Sequence, residues 1–219
     1  MQEHKMGQKI YLIRHGMRED FENPDWPATA KEPHDTPLSA KGFRQAEDVG
    51  RVLEGKGIQA IYSSPFLRAL QTADAIAAAL DLPIRVEPGL AEWLNPVWMK
   101  RAPHLPSAAE AHQLFPRVDR SYQPVVHPVY PEIDETKEVR ARVKTFWDVL
   151  FAREANEDVA VVAHGSPIGQ SLGLMIPDTP GIFMQVASIT CIERKGSSYS
   201  LVHSGIDHLS DRDTDVRFH

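Results

Sequence analysis

Apolar residues recur along this chain in two rhythms. Short runs at Gln8–Ile13, Ala60–Ser63, Ile84–Val86, Val159–Ala163, Ser188–Glu193 and Tyr199–His203 predict strands. Val159-Ala160-Val161-Val162-Ala163 is apolar throughout, as in a central strand covered on both faces. Elsewhere the spacing is helical. Ser39–Glu54 places Phe43, Ala46, Val49 and Leu53 on one face and is closed by Gly55 and Gly57. Pro65–Leu80 carries a stripe of Leu70, Ala73, Ala77 and Leu80, with Ser64 as its cap and Pro65 in its first position. Thr136–Ala152 repeats the pattern with Val139, Val143, Phe146, Trp147 and Leu150, and a short helix is expected after His164-Gly165-Ser166-Pro167.

Strands alternating with helices predict an α/β fold: a three-layer α/β/α sandwich on a mostly parallel sheet. A turn at Arg194-Lys195-Gly196-Ser197 makes the last two strands a hairpin and the sheet mixed. Two long connections, Met17–Pro37 and Leu94–Ile133, interrupt the alternation and hold eleven of the seventeen prolines. Connections of that length in a compact domain are commonly functional. Both are read as covers over a site. The expected organisation is one domain over 1–219, with a core of 8–93 and 134–209 and a proline-rich insertion at 94–133.

Composition narrows the function. A net charge of −6 argues against nucleic-acid binding, so any anion site must be a local basic pocket. The single cysteine, Cys191, excludes an intrachain disulfide and fits a reducing compartment; it reads as a core thiol. Met1–Gly7 lacks the apolar core of a signal peptide, and no run approaches the ~20 apolar residues of a membrane span. The expectation is a cytoplasmic protein with no membrane partner.

Ligands of open α/β sheets bind beyond the carboxyl ends of the strands. Here one strand ends at Arg14-His15, a second just before Ser64 and Arg68, and a third at His164. Phosphoryl transfer needs an in-line nucleophile and fixed positive charge around the phosphoryl oxygens. The imidazole of His15 has a lone pair at neutral pH, and the arginine fork fits phosphate. Arg68, early in its helix, gains anion affinity from the helix N-terminus. Glu92, after the strand at Ile84–Val86, is the candidate acid for the leaving oxygen. His104, His112 and His127 lack ligand spacing and there is no His-Glu-x-x-His, so neither metal nor cofactor is expected. Trp93 and Trp98 are either substrate-facing or the packing of a long loop, and packing is the preferred reading.

These residues resemble the histidine phosphatase superfamily, which includes the cofactor-dependent phosphoglycerate mutases. The resemblance runs through Arg14-His15-Gly16, the stretch from Asp35 to Ala46, Tyr62 to Ala73, Leu90-Ala91-Glu92-Trp93, Glu135-Thr136 with Val139–Val143, and Val162 to Ile168. It implies a metal-free phosphohistidine mechanism. His15 would be the nucleophile, Glu92 the proton donor, and Arg14, Arg68 and His164 the phosphoryl holders. Mutase-like members continue with a Glu-Ser-x-Trp-Asn type of sequence, whereas this chain has Met17-Arg18-Glu19-Asp20-Phe21. Arg18, a third phosphate-binding arginine, and Glu92-Trp93 resemble the phosphatase domains of the Sts (TULA) proteins. Arg18 also resembles the acid phosphatase branch, which however has Asp where Gly165 stands. The resemblance therefore favours a phosphomonoester hydrolase acting on a small phosphorylated substrate, with phosphotyrosine among the options. A phosphoglycerate mutase and a silent phospho-ligand-binding protein are the alternatives. Neither the substrate nor the oligomeric state is readable from the sequence.

Overall fold

The computed structural model describes residues 7–154 and 156–212; residues 1–6, which carry most of the expected absence of a signal peptide, lie outside the described residues. The elements in chain order are β1 (Gln8–Arg14), α1 (Glu19–Glu22), α2 (Trp26–Thr29), α3 (Ala40–Leu53), β2 (Ile58–Ser63), α4 (Leu67–Leu80), β3 (Ile84–Val86), α5 (Ala108–Leu114), α6 (Arg140–Arg153), β4 (Asp158–Ala163), α7 (Gly165–Met175), β5 (Ile189–Lys195) and β6 (Ser198–Gly205). They build the expected three-layer α/β/α sandwich. Its sheet runs β3-β2-β4-β1-β5-β6, with three parallel pairings and then two antiparallel ones.

The all-apolar β4 lies between β1 and β2, where both faces are covered. On one face Ile13, Ile61 and Val162 pack with Val49 and Leu53 of α3 and Ala73, Ile76 and Ala77 of α4. On the other, Leu12, Tyr62 and Val161 pack with Val143, Phe146, Trp147 and Leu150 of α6 and Leu172 of α7. Each such large apolar side chain contributes roughly 1.5–3 kcal/mol when fully buried. Because β4 enters between strands laid down earlier, the carboxyl ends of β1, β2 and β4 meet at one edge. His15 N–H donates to Ala163 O (3.0 Å) and Ser64 N–H to Val162 O (2.9 Å), which locks the three ends together.

Several local expectations are corrected. Phe43 of α3 is exposed rather than inward; the buried face is set by Gln45, Ala46, Val49 and Leu53. Helix α4 begins at Leu67, not Pro65, and Ser64 is not its cap: Asp35 from the first long connection accepts from Leu67 N–H at 2.7 Å. The late helix starts at Arg140, because Glu135–Val139 winds as a π turn capped by Asp134. The helix after His164 is not short; it runs eleven residues. The hairpin turn narrows to Gly196 and Ser197.

The insertion holds a helix that periodicity did not predict, α5, opened by a capping box between Ser107 and Glu110. Its following segment lies along the β3 edge, where Ile84 N–H donates to Arg117 O and Asp119 N–H to Ile84 O. That stretch protects a strand edge instead of covering the site.

Candidate active site

Gly16 is needed for a close approach, not for a left-handed turn. A Cβ there would sit 2.6 Å from Gly42 O, so the Arg14-His15-Gly16 segment rests directly on the first turn of α3. Around it, Gly16 N–H donates to Thr72 Oγ1 (3.1 Å) and Met17 N–H to Gln45 Oε1 (2.8 Å). Thr72 in turn donates to Arg68 O (2.8 Å). The loop that carries His15 is thereby tied to both α3 and α4.

His15 is 1 % exposed, and its Nδ1 lies 2.8 Å from Gly16 O. A carbonyl only accepts, so Nδ1 holds the proton and the lone pair is on Nε2. Burial, then the charges of Arg68 and Arg14, push the His15 pKa well below the usual histidine value. His164 is shifted in the same direction by burial, Arg68 and His15. The two rings are 5.1 Å apart, and both are neutral at pH 7. His164 Nε2 meets Ser64 Oγ at 2.7 Å, and Ser64 Oγ accepts from Phe66 N–H at 3.3 Å. The Ser64 hydroxyl can donate or accept here, and the Glu92 carboxylate oxygen 3.7 Å from Nδ1 favours the tautomer with the proton on Nδ1 and the hydroxyl donating to Nε2.

Arg68 is also buried, with its guanidinium 4.8 Å from the Phe66 ring centroid and Nη1 3.5 Å from His34 O. Burial and the Arg18 charge bring its pKa down to about 10, so it stays cationic. Arg14 is held by a 2.5 Å bond from Nη1 to Met184 O. Glu92 Oε1 accepts from Trp93 N–H (3.0 Å), while Oε2 stands 3.7 Å from His164 Nδ1 and 3.9 Å from Arg68 Nη2. These last two separations are too long for hydrogen bonds. Arg68 Nε, His164 Nδ1 and Ser166 Oγ are buried without a hydrogen-bond partner. An unsatisfied buried polar group costs about 1–3 kcal/mol, so unpartnered polar atoms on Arg68, His164 and Ser166 favour an acceptor-rich ligand near these strand ends.

Above them opens a cavity of about 560 Å³. Arg14, Arg18, Arg68 and Glu92, four of the residues singled out in the sequence, line it. His15 and His164 are buried and do not line it; they adjoin in sequence Arg14 and Gly165, which do. Arg18 differs from expectation in one respect: its guanidinium is gripped by both carboxylate oxygens of Asp20 and lies 4.4 Å from the Phe21 ring centroid. Trp93 and Trp98 are not merely packing. They meet edge to face at 5.3 Å and form part of the cavity wall. His34, Ser166 and Glu135 also line it, as residues that sequence reasoning missed. Ser166 was within reach of that reasoning, two positions after His164 at a strand end. Among the described residues, no group of three His, Cys, Asp or Glu is placed to hold a metal ion.

Comparison with known proteins agrees with this geometry. The model of the histidine phosphatase superfamily (branch 1) matches residues 10–207. The chain is 28% identical over 229 residues to the transcription factor tau 55 kDa subunit of Saccharomyces cerevisiae, covering 95% of this chain and 51% of that one. It is 26% identical over 204 residues to the ecdysteroid-phosphate phosphatase of Drosophila melanogaster, covering 75% of this chain and 26% of the fly protein. The chain thus spans about half the length of the yeast relative and about a quarter of the fly one. Among solved structures, the Bombyx mori ecdysone phosphate phosphatase in complex with tungstate shares the fold, with a TM-score of 0.72 at 20% identity, 97% of this chain and 98% of that one being covered. A match over nearly the whole sandwich, with a histidine at the end of β1 and another at the end of β4, gives the family: this chain belongs to the histidine phosphatase superfamily.

Proposed function

We propose that the protein is a metal-independent phosphomonoester hydrolase working through phospho-His15. The observation that carries this reading is that Arg14, Arg68 and Glu92 line one cavity, while the buried His15 and His164 rings stand 5.1 Å apart and next in the chain to the lining residues Arg14 and Gly165. Nε2 attacks phosphorus in line and the P–O ester bond breaks. Glu92 gives its proton to the departing oxygen. Arg14, Arg68 and His164 hold the phosphoryl oxygens, on which negative charge is concentrated. In the second half, the Glu92 carboxylate takes a proton from water as that water attacks phospho-His15, which releases inorganic phosphate. Ser166 and Arg18 are further phosphate donors, Arg18 once its pairing with Asp20 loosens.

The cavity wall bears on the substrate. Phe21, Trp93, Trp98 and Met99 offer an apolar, largely aromatic surface beside Glu92, suited to a bulky or aromatic alcohol such as the phenol of phosphotyrosine. Asp20 and Glu135 place carboxylates in the same wall. Glu135, and Asp20 once Arg18 turns to the phosphate, repel a second anionic group, which disfavours phosphoglycerates and hence mutase action. A silent phospho-ligand-binding role is disfavoured because the nucleophile, acid and phosphate donors are all present. The Drosophila melanogaster relative is named for ecdysteroid phosphates, and the Bombyx mori neighbour holds tungstate, a tetrahedral oxyanion. Among the described residues no helix is long and apolar enough to cross a membrane, and the single cysteine fits a cytoplasmic setting.

The test is release of inorganic phosphate from a panel of aryl, steroid-like and sugar phosphomonoesters after exhaustive chelation. Interconversion of 2- and 3-phosphoglycerate is assayed alongside. Turnover that survives EDTA without interconversion supports the reading. Efficient interconversion, or turnover restored by a metal alone, overturns it.

A further inference from the structure

The loop that holds Glu92 is fastened by a charged pair that its neighbours in sequence do not supply. Arg142 of α6 and Glu132, the last part of the insertion, are both almost wholly buried and joined by Arg142 Nε to Glu132 Oε1 (2.6 Å) and Nη2 to Oε2 (3.2 Å). The pair then reaches each residue of the tripeptide Glu92-Trp93-Leu94. Arg142 Nη2 donates to Glu92 O at 3.1 Å, the Trp93 indole N–H donates to Glu132 O at 3.0 Å, and Leu94 N–H donates to Glu132 Oε2 at 2.9 Å. Glu132 N–H returns to Leu94 O at 3.0 Å, and Arg142 Nη1 holds Gly89 O at 2.7 Å.

A buried ion pair is weak evidence for stability, since desolvation offsets its attraction. Two side chains that, beyond each other, bond only Gly89, Glu92 and Leu94, while the Glu132 main chain adds bonds to Trp93 and Leu94, are better explained by placement. Glu92 itself has no direct hydrogen bond that fixes Oε2; its Oε1 is held by Trp93 N–H, so the carboxylate is aimed only as well as the backbone at 92–93 is fixed. We propose that Arg142 and Glu132 are positioning residues for the proton donor, and that through them the 94–133 insertion sets the reactivity of Glu92. The proposal rests on the reading of Glu92 as the acid. Neither side chain lines the cavity or touches the phosphate site.

The geometry makes a separable claim. Misplacing a reacting group by about 1 Å costs up to roughly a hundredfold in rate. Arg142→Lys keeps the charge but lacks the fork that spans Glu132, Gly89 and Glu92. Its kcat/KM for an alkyl phosphate, which needs the proton, is expected to fall about ten- to a hundredfold. Its kcat/KM for 4-nitrophenyl phosphate, which reports only the steps through formation of phospho-His15, and its inhibition by orthovanadate, should change less than about threefold. A role in folding alone would lower both substrates together. A double-mutant cycle separates the proposal from its premise. In a Glu92→Gln background, Arg142→Lys should bring no further loss with the alkyl phosphate. If Glu92→Gln itself leaves alkyl turnover intact, the premise fails. If Glu92→Gln acts but Arg142→Lys lowers kcat/KM equally for both substrates, or for neither, the positioning role fails. Should Arg142→Lys not fold, Glu132→Gln carries the same comparison: it keeps an oxygen for Leu94 N–H but loses the charge that orients Arg142.

Discussion

Ser64 was expected to cap a helix, yet its hydroxyl is committed to His164, and replacing it probes the phosphate site without touching the nucleophile or the acid. In Ser64→Ala, His164 Nε2 loses its partner at 2.7 Å and the ring becomes free to exchange tautomers. Leaving that buried nitrogen unsatisfied costs about 1–3 kcal/mol, and in a domain of this size each 1 kcal/mol lowers Tm by about 2–4 °C. The functional cost comes from the donor at Nδ1. Losing an interaction of about 1–2 kcal/mol with a phosphoryl oxygen corresponds to roughly a 5- to 30-fold fall in kcat/KM. Since the phosphoryl group is common to all substrates, aryl and alkyl phosphates should suffer alike, and orthovanadate should inhibit more weakly by a similar factor. Steady-state kinetics and vanadate titration measure this, and the His164 ring ¹⁵N shifts report the tautomer. A folded Ser64→Ala enzyme with unaltered vanadate inhibition, or a loss confined to alkyl phosphates, would refute the reasoning.

Three further outcomes follow from the geometry. Asp35→Ala removes the side chain that accepts from Leu67 N–H, so Tm should fall by a few degrees for a cap of about 1 kcal/mol. Phosphate affinity should weaken as Arg68, one residue on, loosens; thermal melts and vanadate titration check both. Arg18→Ala should lower kcat/KM by about tenfold, the low end for a charged hydrogen bond because Asp20 already engages the guanidinium; Asp20→Asn should tighten vanadate binding. The pKa values of His15 and His164 are depressed in the folded state, so the unfolded chain binds more protons below about pH 6.5. Their contribution to stability is complete above that pH and is lost as pH falls toward the folded values, by at most about 1.4 kcal/mol per unit for each histidine. Urea melts of wild type between pH 7 and 5 should show this slope, and His15→Ala should reduce it.

The sheet and the convergence of Arg14, His15, Arg68 and His164 were legible because strand runs and strand ends are local signals. β4 could be recognised as central from five apolar residues in succession. What escaped depends on contacts between distant segments. The cap of α4 comes from Asp35, thirty-two positions before Leu67, so the serine next to the helix looked like the natural candidate. Ser64 acquired its role only when β4 brought His164 within 2.7 Å. The pairing of Arg142 with Glu132 spans ten positions and reaches fifty back to Glu92, and no periodicity encodes it. Helix α5 was legible in principle, since Ser107 and Glu110 stand at capping-box spacing, but the surrounding prolines masked it. Phe43 fell on the helical stripe yet faces outward, because the close approach of Gly16 to Gly42 fixes how α3 meets the sheet.

The central claim is that phosphorus passes through His15, and the structure names the atom. Gly16 O holds Nδ1 at 2.8 Å, so the phosphoryl group should reside on Nε2. Quenching the enzyme in alkali during turnover of a labelled phosphomonoester, followed by peptide mapping and ³¹P analysis, measures this directly. The account predicts an alkali-stable, acid-labile phosphoryl group on His15 Nε2, absent from His15→Ala, which should be folded and inactive. Label on another residue, or a His15→Ala enzyme that still turns over, would contradict it.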